Sequence, residues 1–318
     1  MSPKPTQLLA LLLAAIVTAV VLVPSAIILF ESVLSPERKL SLDAYGTVLG
    51  SRVVRQATWR TFEIALSVTA LCILAGYPLA FAIAASGSRA RSLLITCVIF
   101  PFLLSAVVRA FGWNIVIGET GLLNRILLGL GLIATPLQLL HTEIAIILGE
   151  THLLCPYMVL SLLAVIGRID PNLEAAAQSL GASPPGVFFR VMVPMTLPGL
   201  FAGTLLVFAL AMTAFATPWL LGGTRSPVLT SLLYRYAFVS FDMPRALAIA
   251  GILLILGIAF GLIGLMVHSF GDFGIHIPAV AFLTTVLTAF VADAATDPTY
   301  VPFKKKSCLL YTSPSPRD

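Results

Sequence analysis

Charge is what this sequence has least of. Only 10% of its 318 residues are Asp, Glu, Lys or Arg, and 58% are hydrophobic. A soluble domain carries roughly 25% charged residues. With a mean hydropathy of +1.01, the chain reads as an integral membrane protein. Lysine is nearly absent: Lys4, Lys39, Lys304, Lys305 and Lys306 are the whole set, and none follows a Gly-x-x-x-x-Gly run. That excludes a phosphate loop, so the chain has no means of hydrolysing ATP by that route. The four cysteines, Cys72, Cys97, Cys155 and Cys308, form no Cys-x-x-Cys pair and no zinc spacing with histidine, so no metal site is expected. Three of them lie in apolar runs and read as small buried hydrophobes. The net charge of +5 owes three units to Lys304–Lys306. The other basic residues are scattered between apolar runs, which excludes a nucleic-acid surface.

What is present is a series of long apolar runs. A span needs about 20 apolar residues. Six runs qualify: Leu8–Phe30, Phe62–Ala84, Leu93–Ile117, Glu143–Ile166, Leu197–Leu221 and Ala246–Phe270. The first is too long for a signal peptide and lacks a small-residue cleavage site, so it is expected to stay as a span. The fold class is therefore all-α and integral to the membrane, with lipid as a partner. A first helix and its flanking segment occupy 1–56. A five-helix core covers 57–270, and an uncertain extension covers 271–307, with a marginal apolar run at Ile277–Ala292. Residues 308–318 resemble translated sequencing-adapter read-through and are excluded from fold reasoning.

Lys and Arg normally favour the cytoplasmic side. With the N-terminus inside, the inner set is Lys4, Arg89, Arg91, Arg168 and Arg190. The outer set is larger: Arg38, Lys39, Arg52, Arg55, Arg60, Arg125, Arg225, Arg235 and Arg245. Charge counting alone favours the opposite topology.

The segment between the fourth and fifth runs, 167–196, is a polar interruption. Asp170 is a good N-cap, Pro171 suits a first helical turn, and Glu174 lies where the helix dipole favours negative charge. Ala175, Ala176 and Ala177 are strong helix formers. Gly181 ends that helix in a left-handed conformation. Ser183-Pro184 then caps a second short helix, expected to present Val187, Phe188, Val191 and Met192 with Arg190 on another side. Pro194 and Pro198 are expected to stop it. So much apolar surface outside lipid suits a docking surface; a lipid-surface loop without a specific partner is the alternative.

Glu174-Ala175-Ala176, Gly181, and Val191-x-Val193-Pro194 resemble the loop signature of permease subunits of binding-protein-dependent ABC importers. The departure is Val where Ile and Leu are usual. Further pieces resemble the spermidine/putrescine-type branch: Leu42-Asp43-Ala44-Tyr45, Tyr77-Pro78-Leu79-Ala80, Val108–Trp113, Gly121-Leu122-Leu123-Asn124, His152–Met158 and Thr217–Gly223. The likeness runs from about Leu42 to Phe270. It implies a type I importer permease fold with six transmembrane helices, in a bacterial inner membrane, with the N-terminus and the Glu174 loop cytoplasmic. It implies that Glu174, Ala175, Ala176, Gly181, Phe188, Arg190, Val191 and Pro194 form the loop that docks on an ATPase. The implied partners are a second permease subunit, identical or homologous, two ATPase subunits that bind ATP and magnesium, and an external solute-binding protein. The chain itself would hold no cofactor and be no enzyme. The implied solute is a polyamine; ferric iron, aminoalkylphosphonate and opines are carried by related branches.

Two ionisable groups fall inside runs. Arg109 lies 16 residues into the third and Glu150 lies 16 residues from the end of the fourth. At 1.5 Å per residue, both sit roughly 24 Å from the same boundary, which makes them candidates for an ion pair. With Thr213 and Thr217 they form the candidate translocation path. Charges in spans are costly and often functional. The alternative is a structural role, with Arg109 reaching the interface and Glu150 as its partner. His152 lies about 200° round the helix from Glu150 and faces elsewhere. An ion-coupled transporter is the rival class: it would place charges near mid-membrane and work without ATP.

Overall fold

The computed structural model describes residues 5–34, 37–170 and 172–271; the expected extension at 271–307 and the segment at 308–318 lie outside them, apart from Gly271. Among the described residues the regular structure is helical, with one isolated bridge between Leu34 and Leu40. In chain order the helices begin with α1 (Pro5–Ser32), α2 (Asp43–Gly50), α3 (Arg52–Ala85), α4 (Ser88–Leu103), α5 (Ala106–Ile117) and α6 (Leu122–Gly129). They continue with α7 (Glu143–Ile166), α8 (Asn172–Ser179), α9 (Pro184–Val187), α10 (Val193–Thr213), α11 (Leu229–Tyr234) and α12 (Met243–Gly271).

Among the described residues four helices are long and apolar enough to cross a membrane: α3, α7, the combined Pro184–Thr213 and the Met243–Ile263 part of α12. The third expected span is not a straight helix. It bends by 103° between Ser88–Leu103 and Ala106–Gly129. Pro101 stands two residues before the end of α4, and Leu104 and Ser105 are extended. A ring that clashes with the preceding turn, followed by extended backbone, ends the helix. α5 then restarts on a new axis, with the Ser105 hydroxyl accepting from the Val108 N–H. Among the described residues there are thus four unbroken helices of spanning length and one bent pair. The count of six rests on α1, whose first side chains fall outside the described set. The fifth expected span also ends early. α10 stops at Thr213, Ala214 is extended, and a wide turn over Pro218–Gly222 follows.

At the centre α3, α7 and α10 pack together, and α12 closes one side against α1, α2, α10 and α11. In lipid the helices gain little from hiding apolar surface, so close packing must hold them. Met158 shows how. It is fully buried on α7, and a Cβ on Gly76 of α3 would stand 3.0 Å from its Cγ, one on Gly203 of α10 2.8 Å from its Sδ. One turn earlier on α10, a Cβ on Gly199 would meet Val165 at 2.8 Å and the Ser161 carbonyl at 2.9 Å. Gly199-x-x-x-Gly203 is thus the small-residue face on which α7 lies. Tyr77 of α3 and Thr196 of α10 add a hydroxyl–hydroxyl bond of 2.6 Å.

One end of the bundle is tied by charge. The Arg60 guanidinium of α3 donates to Glu143 at the start of α7, at 2.6 Å, and to the Pro227 carbonyl at 3.2 Å. The α8–α9 segment sits at the opposite end of α3, where Phe188 meets Phe81.

Candidate functional sites: the α8–α10 loop and the Glu150 region

The loop follows its sequence closely in its first half. Asp170 Oδ1 accepts from the Asn172 N–H at 2.9 Å, which starts α8. Glu174 lies in the first turn, and Gln178 donates to it across one turn at 3.4 Å. Ala175 and Ala176 are exposed, so this narrow face is open to another chain. Gly181 has φ +85°. Its N–H donates to the Gln178 carbonyl at 2.9 Å, and the Ala182 N–H to the Ala177 carbonyl at 3.1 Å. This pair of bonds is the Schellman closure, which satisfies the last carbonyls of α8.

The second half departs from expectation. Ser183 makes no side-chain cap, and the bond that starts α9 runs from the Val187 N–H to the Ser183 carbonyl. Pro194 and Pro198 do not stop the helix. Instead a wide turn over Phe188–Met192 joins α9 to α10, and the Val193 N–H reaches back five residues to the Phe188 carbonyl. Pro194 has no N–H to give, and its ring excludes a normal bond with Arg190. Widening the turn by one residue before the proline absorbs both effects and lets the helix run on into the membrane.

That widening sets which side chains face out. Val187 is buried. Phe188 was expected on the exposed face and is instead turned inward, packing on Tyr77 and Phe81 of α3 with ring centroids 6.1 and 5.3 Å away. Phe189 takes the outer position at 68% exposure, and Leu180, just past the end of α8, is 90% exposed. Arg190 and Pro194 are exposed with them, while Val191 is half-buried. The outward surface is therefore Leu180, Phe189 and Arg190 flanked by the alanine face of α8. The sequence does not single out Leu180 or Phe189, and for Phe189 the register shift at the wide turn leaves no simple periodic signal.

The Glu150 region lies at the other side of the bundle. Arg109 and Glu150 form no ion pair among the described residues. Arg109 instead donates through Nη1 to the Pro101 carbonyl at 2.7 Å and to the Leu104 carbonyl. Both carbonyls lie at the end of α4, where that of Pro101 also accepts from the Leu104 N–H at 3.4 Å, so the guanidinium clasps the break that the sequence did not foresee. The matching-depth estimate failed because it assumed a straight third span. Glu150 is 2% exposed, and its Oε2 has no hydrogen-bond partner. Buried Thr217 stands beside its carboxyl, and Arg109 is the cation within electrostatic reach. The approach is made possible at Gly149, where a Cβ would stand 2.6 Å from Leu221 and 2.7 Å from Thr217. His152 is exposed and packs edge-on against Trp113 at 5.9 Å, facing away from Glu150 as its helical position requires.

Thr213 is not part of this group. Its hydroxyl bonds back to Ala209 and Leu210 of its own helix. Its side chain lines an apolar cavity of 190 Å³ with Leu256, Gly257 and Phe260 of α12. Asn124 is a residue whose role the sequence did not disclose. Fully buried, it donates to the carbonyls of Gly118 and Leu137 and accepts from the Leu137 N–H. It fixes the connection between α5 and α7, which borders a polar cavity of 800 Å³ lined in part by Glu119, Gln138, His141 and Arg225.

Among the described residues no group of three or more His, Cys, Asp or Glu is placed to hold a metal ion. The profile of the family described as "binding-protein-dependent transport system inner membrane component" matches residues 73–273. The chain is 33% identical over 236 residues to the spermidine/putrescine transport system permease protein PotB of Haemophilus influenzae, covering 72% of this chain and 82% of that protein. Its fold matches a chain of a bacterial ABC transporter that imports the acidic polysaccharide alginate, with TM-score 0.67, 20% identity, and coverage of 82% and 94%. A bacterial alginate ABC transporter in complex with an alginate pentasaccharide-bound periplasmic protein matches with TM-score 0.64 and 21% identity, over 83% of this chain and 92% of the other.

Proposed function

The chain belongs to the inner membrane components of binding-protein-dependent transport systems, and from that premise we propose that it is the permease subunit through which an ATP-driven importer moves a polyamine such as spermidine or putrescine. It is a multi-pass inner membrane protein and a transport component. The observation that carries the solute class is the 33% identity with PotB over 82% of that protein's length. The observation that favours ATP coupling is the α8–α10 loop, which offers Leu180, Phe189 and Arg190 beside a narrow alanine face.

In this reading the loop docks on one of two ATPase subunits, which bind ATP and magnesium. A second permease subunit completes the pathway, and an external binding protein delivers the solute. The loop faces ATP, so the N-terminus is cytoplasmic, against the arginine count. Closure of the ATPase pair moves both loops, and the motion enters the bundle along the continuous helix from Pro184 to Thr213. Phe188 carries it to α3 through Tyr77 and Phe81. The result is a switch between inward- and outward-facing states whose balance nucleotide and solute shift. Glu150 and Thr217 belong to the path, and Arg109 braces the bent span beside them. Thr213 stands apart in the apolar seam with α12.

The test is uptake of radiolabelled spermidine into proteoliposomes that hold this chain with its partner permease, ATPase and binding protein. Uptake that requires ATP and the binding protein supports the reading. Uptake driven by an ion gradient without ATP overturns it in favour of an ion-coupled transporter. ATP-dependent uptake of another solute, with none of spermidine or putrescine, keeps the importer and rejects the polyamine.

A further inference from the structure

The segment 217–223 lies along the start of α7 like a strap, and each of its contacts passes over a glycine. A Cβ on Gly149 of α7 would stand 2.7 Å from Thr217 and 2.6 Å from Leu221. One on Gly222 would stand 2.5 Å from Ile146, and one on Gly223 2.7 Å from the ring of His141. The His141 N–H donates to the Leu221 carbonyl at 2.8 Å. From Gly149 through Ile146 to His141 the strap therefore follows α7 toward the end of the bundle opposite the α8–α10 loop.

Both ends of the strap are places where the chain turns. Before it, α10 stops at Thr213 and Ala214 is extended, with ψ 134°. After it, Gly223 has φ +58°, which glycine adopts without steric cost. Gly223 and His141 also line the polar cavity of 800 Å³, so the far end of the strap meets that cavity.

Beside Thr217, closed off from solvent, lies Glu150. It is 2% exposed, and its Oε2 has no hydrogen-bond partner. A carboxylate oxygen buried in this way is costly unless something pairs with it. Among the described residues the chain supplies no such group. No lysine occurs between Lys39 and Lys304, and the Arg109 guanidinium is taken by the Pro101 and Leu104 carbonyls. A metal ion would need several oxygen or imidazole ligands, and no group of three or more His, Cys, Asp or Glu stands ready for one among the described residues. The partner that fits is a cation with N–H donors from outside the chain, an ammonium group.

We propose that 217–223 is the outer gate of the path, and that lifting it lets Glu150 take an ammonium group of the solute. This rests on the reading of the chain as a permease, and adds to it the gate and the charge class that the gate admits. A cationic solute then favours the open gate, because only there does the carboxylate find its partner.

The test uses the complete transporter in proteoliposomes, with ATP enclosed and the binding protein outside. A thiol placed beside the strap by Glu150→Cys meets an impermeant maleimide added on the binding-protein side. Labelling is read at that position by mass spectrometry, apart from the exposed Cys97. We expect labelling at least about tenfold faster during turnover than without ATP, as the open population grows. Thr217→Cys reports the same closure where the first variant fails to assemble. Gly149→Ala, which unseats Leu221 and Thr217, should raise the rate without ATP. Equal rates with and without ATP, in a transporter that still takes up spermidine, overturn the gate and leave the importer reading standing. Glu150→Asp should keep most of the spermidine uptake that Glu150→Gln loses. Equal uptake by these two overturns the ammonium site even where the gate moves. Absence of ATP-dependent uptake in the unmodified transporter overturns the permease reading, and this proposal with it.

Discussion

Phe188 meets Phe81 edge-on, with ring centroids 5.3 Å apart and planes at 65°. The contact ties the turn that opens α10 to the end of α3, and Tyr77 completes the cluster at 6.1 Å from Phe188. A neighbour in the chain, Phe189, has its ring 5.1 Å from Phe188 but points outward at 68% exposure. Two adjacent phenylalanines thus have opposite duties: one anchors the loop to the bundle, the other offers it to a partner.

The two duties separate by mutation. Phe188→Ala removes a half-buried ring with several aromatic neighbours and is expected to cost about 2 kcal/mol. The melting temperature of the purified permease should fall by roughly 4–8 °C. Phe189→Ala should leave the melting temperature unchanged and reduce co-purification of the ATPase. A Phe189→Ala complex that keeps its ATPase in full would remove that side chain from the docking surface.

Gly181 is the second point of control. At φ +85° a Cβ meets the following carbonyl, a strain of about 1 kcal/mol for alanine and less for asparagine. Gly181→Ala should therefore fray the end of α8 and lower solute-stimulated ATP hydrolysis, and Gly181→Asn should restore most of it. If both variants behave as wild type, the left-handed closure has no part in positioning the loop.

Glu150 and Arg109 separate function from scaffold. Arg109→Ala removes the charged donor that the Pro101 and Leu104 carbonyls share. Hydrogen bonds to charged groups contribute about 1.5–3 kcal/mol each, so a lower melting temperature is expected, and Arg109→Lys should recover part of it. Glu150→Gln keeps the volume of a side chain whose Oε2 has no partner. It should leave the melting temperature in place and slow uptake by about tenfold, or 1.4 kcal/mol in the barrier. Normal uptake by an assembled Glu150→Gln transporter would remove Glu150 from the path.

Much of this was legible in the sequence where one local rule decided the outcome. Apolar length placed α7 at Glu143–Ile166 residue for residue. Asp170 and Gly181 placed the ends of α8, because a cap and a left-handed glycine act over four residues. The failures share one cause, a change of helical register. Apolar length alone runs the third span straight through Pro101, whereas the 103° bend there takes Arg109 out of an ion pair with Glu150. Pro194 was read as a stop, and the wide turn before it carried the helix on while turning Phe188 inward. A proline fixes that something yields nearby, but whether the chain kinks, ends or widens depends on what the neighbouring helices can accept.

The packing of Met158 gives the last prediction. Its side chain passes between two glycines on different helices, 3.0 Å from where a Cβ on Gly76 would stand and 2.8 Å from one on Gly203. Within lipid there is no solvent to drive these helices together, so the loss of a close approach is not offset by burial elsewhere. Gly203→Ala forces the sulfur to move, and Gly203→Leu adds four carbons where none fit; overpacking of this kind costs about 1–3 kcal/mol. The melting temperature should fall stepwise from wild type through alanine to leucine. Methionine is flexible, so a smaller partner should accommodate the change. Met158→Ala in the Gly203→Leu background should therefore recover more stability than its own cost predicts, a coupling of about 1 kcal/mol or more in a double-mutant cycle. Strict additivity of the two changes would mean that α3, α7 and α10 are not held through this one side chain.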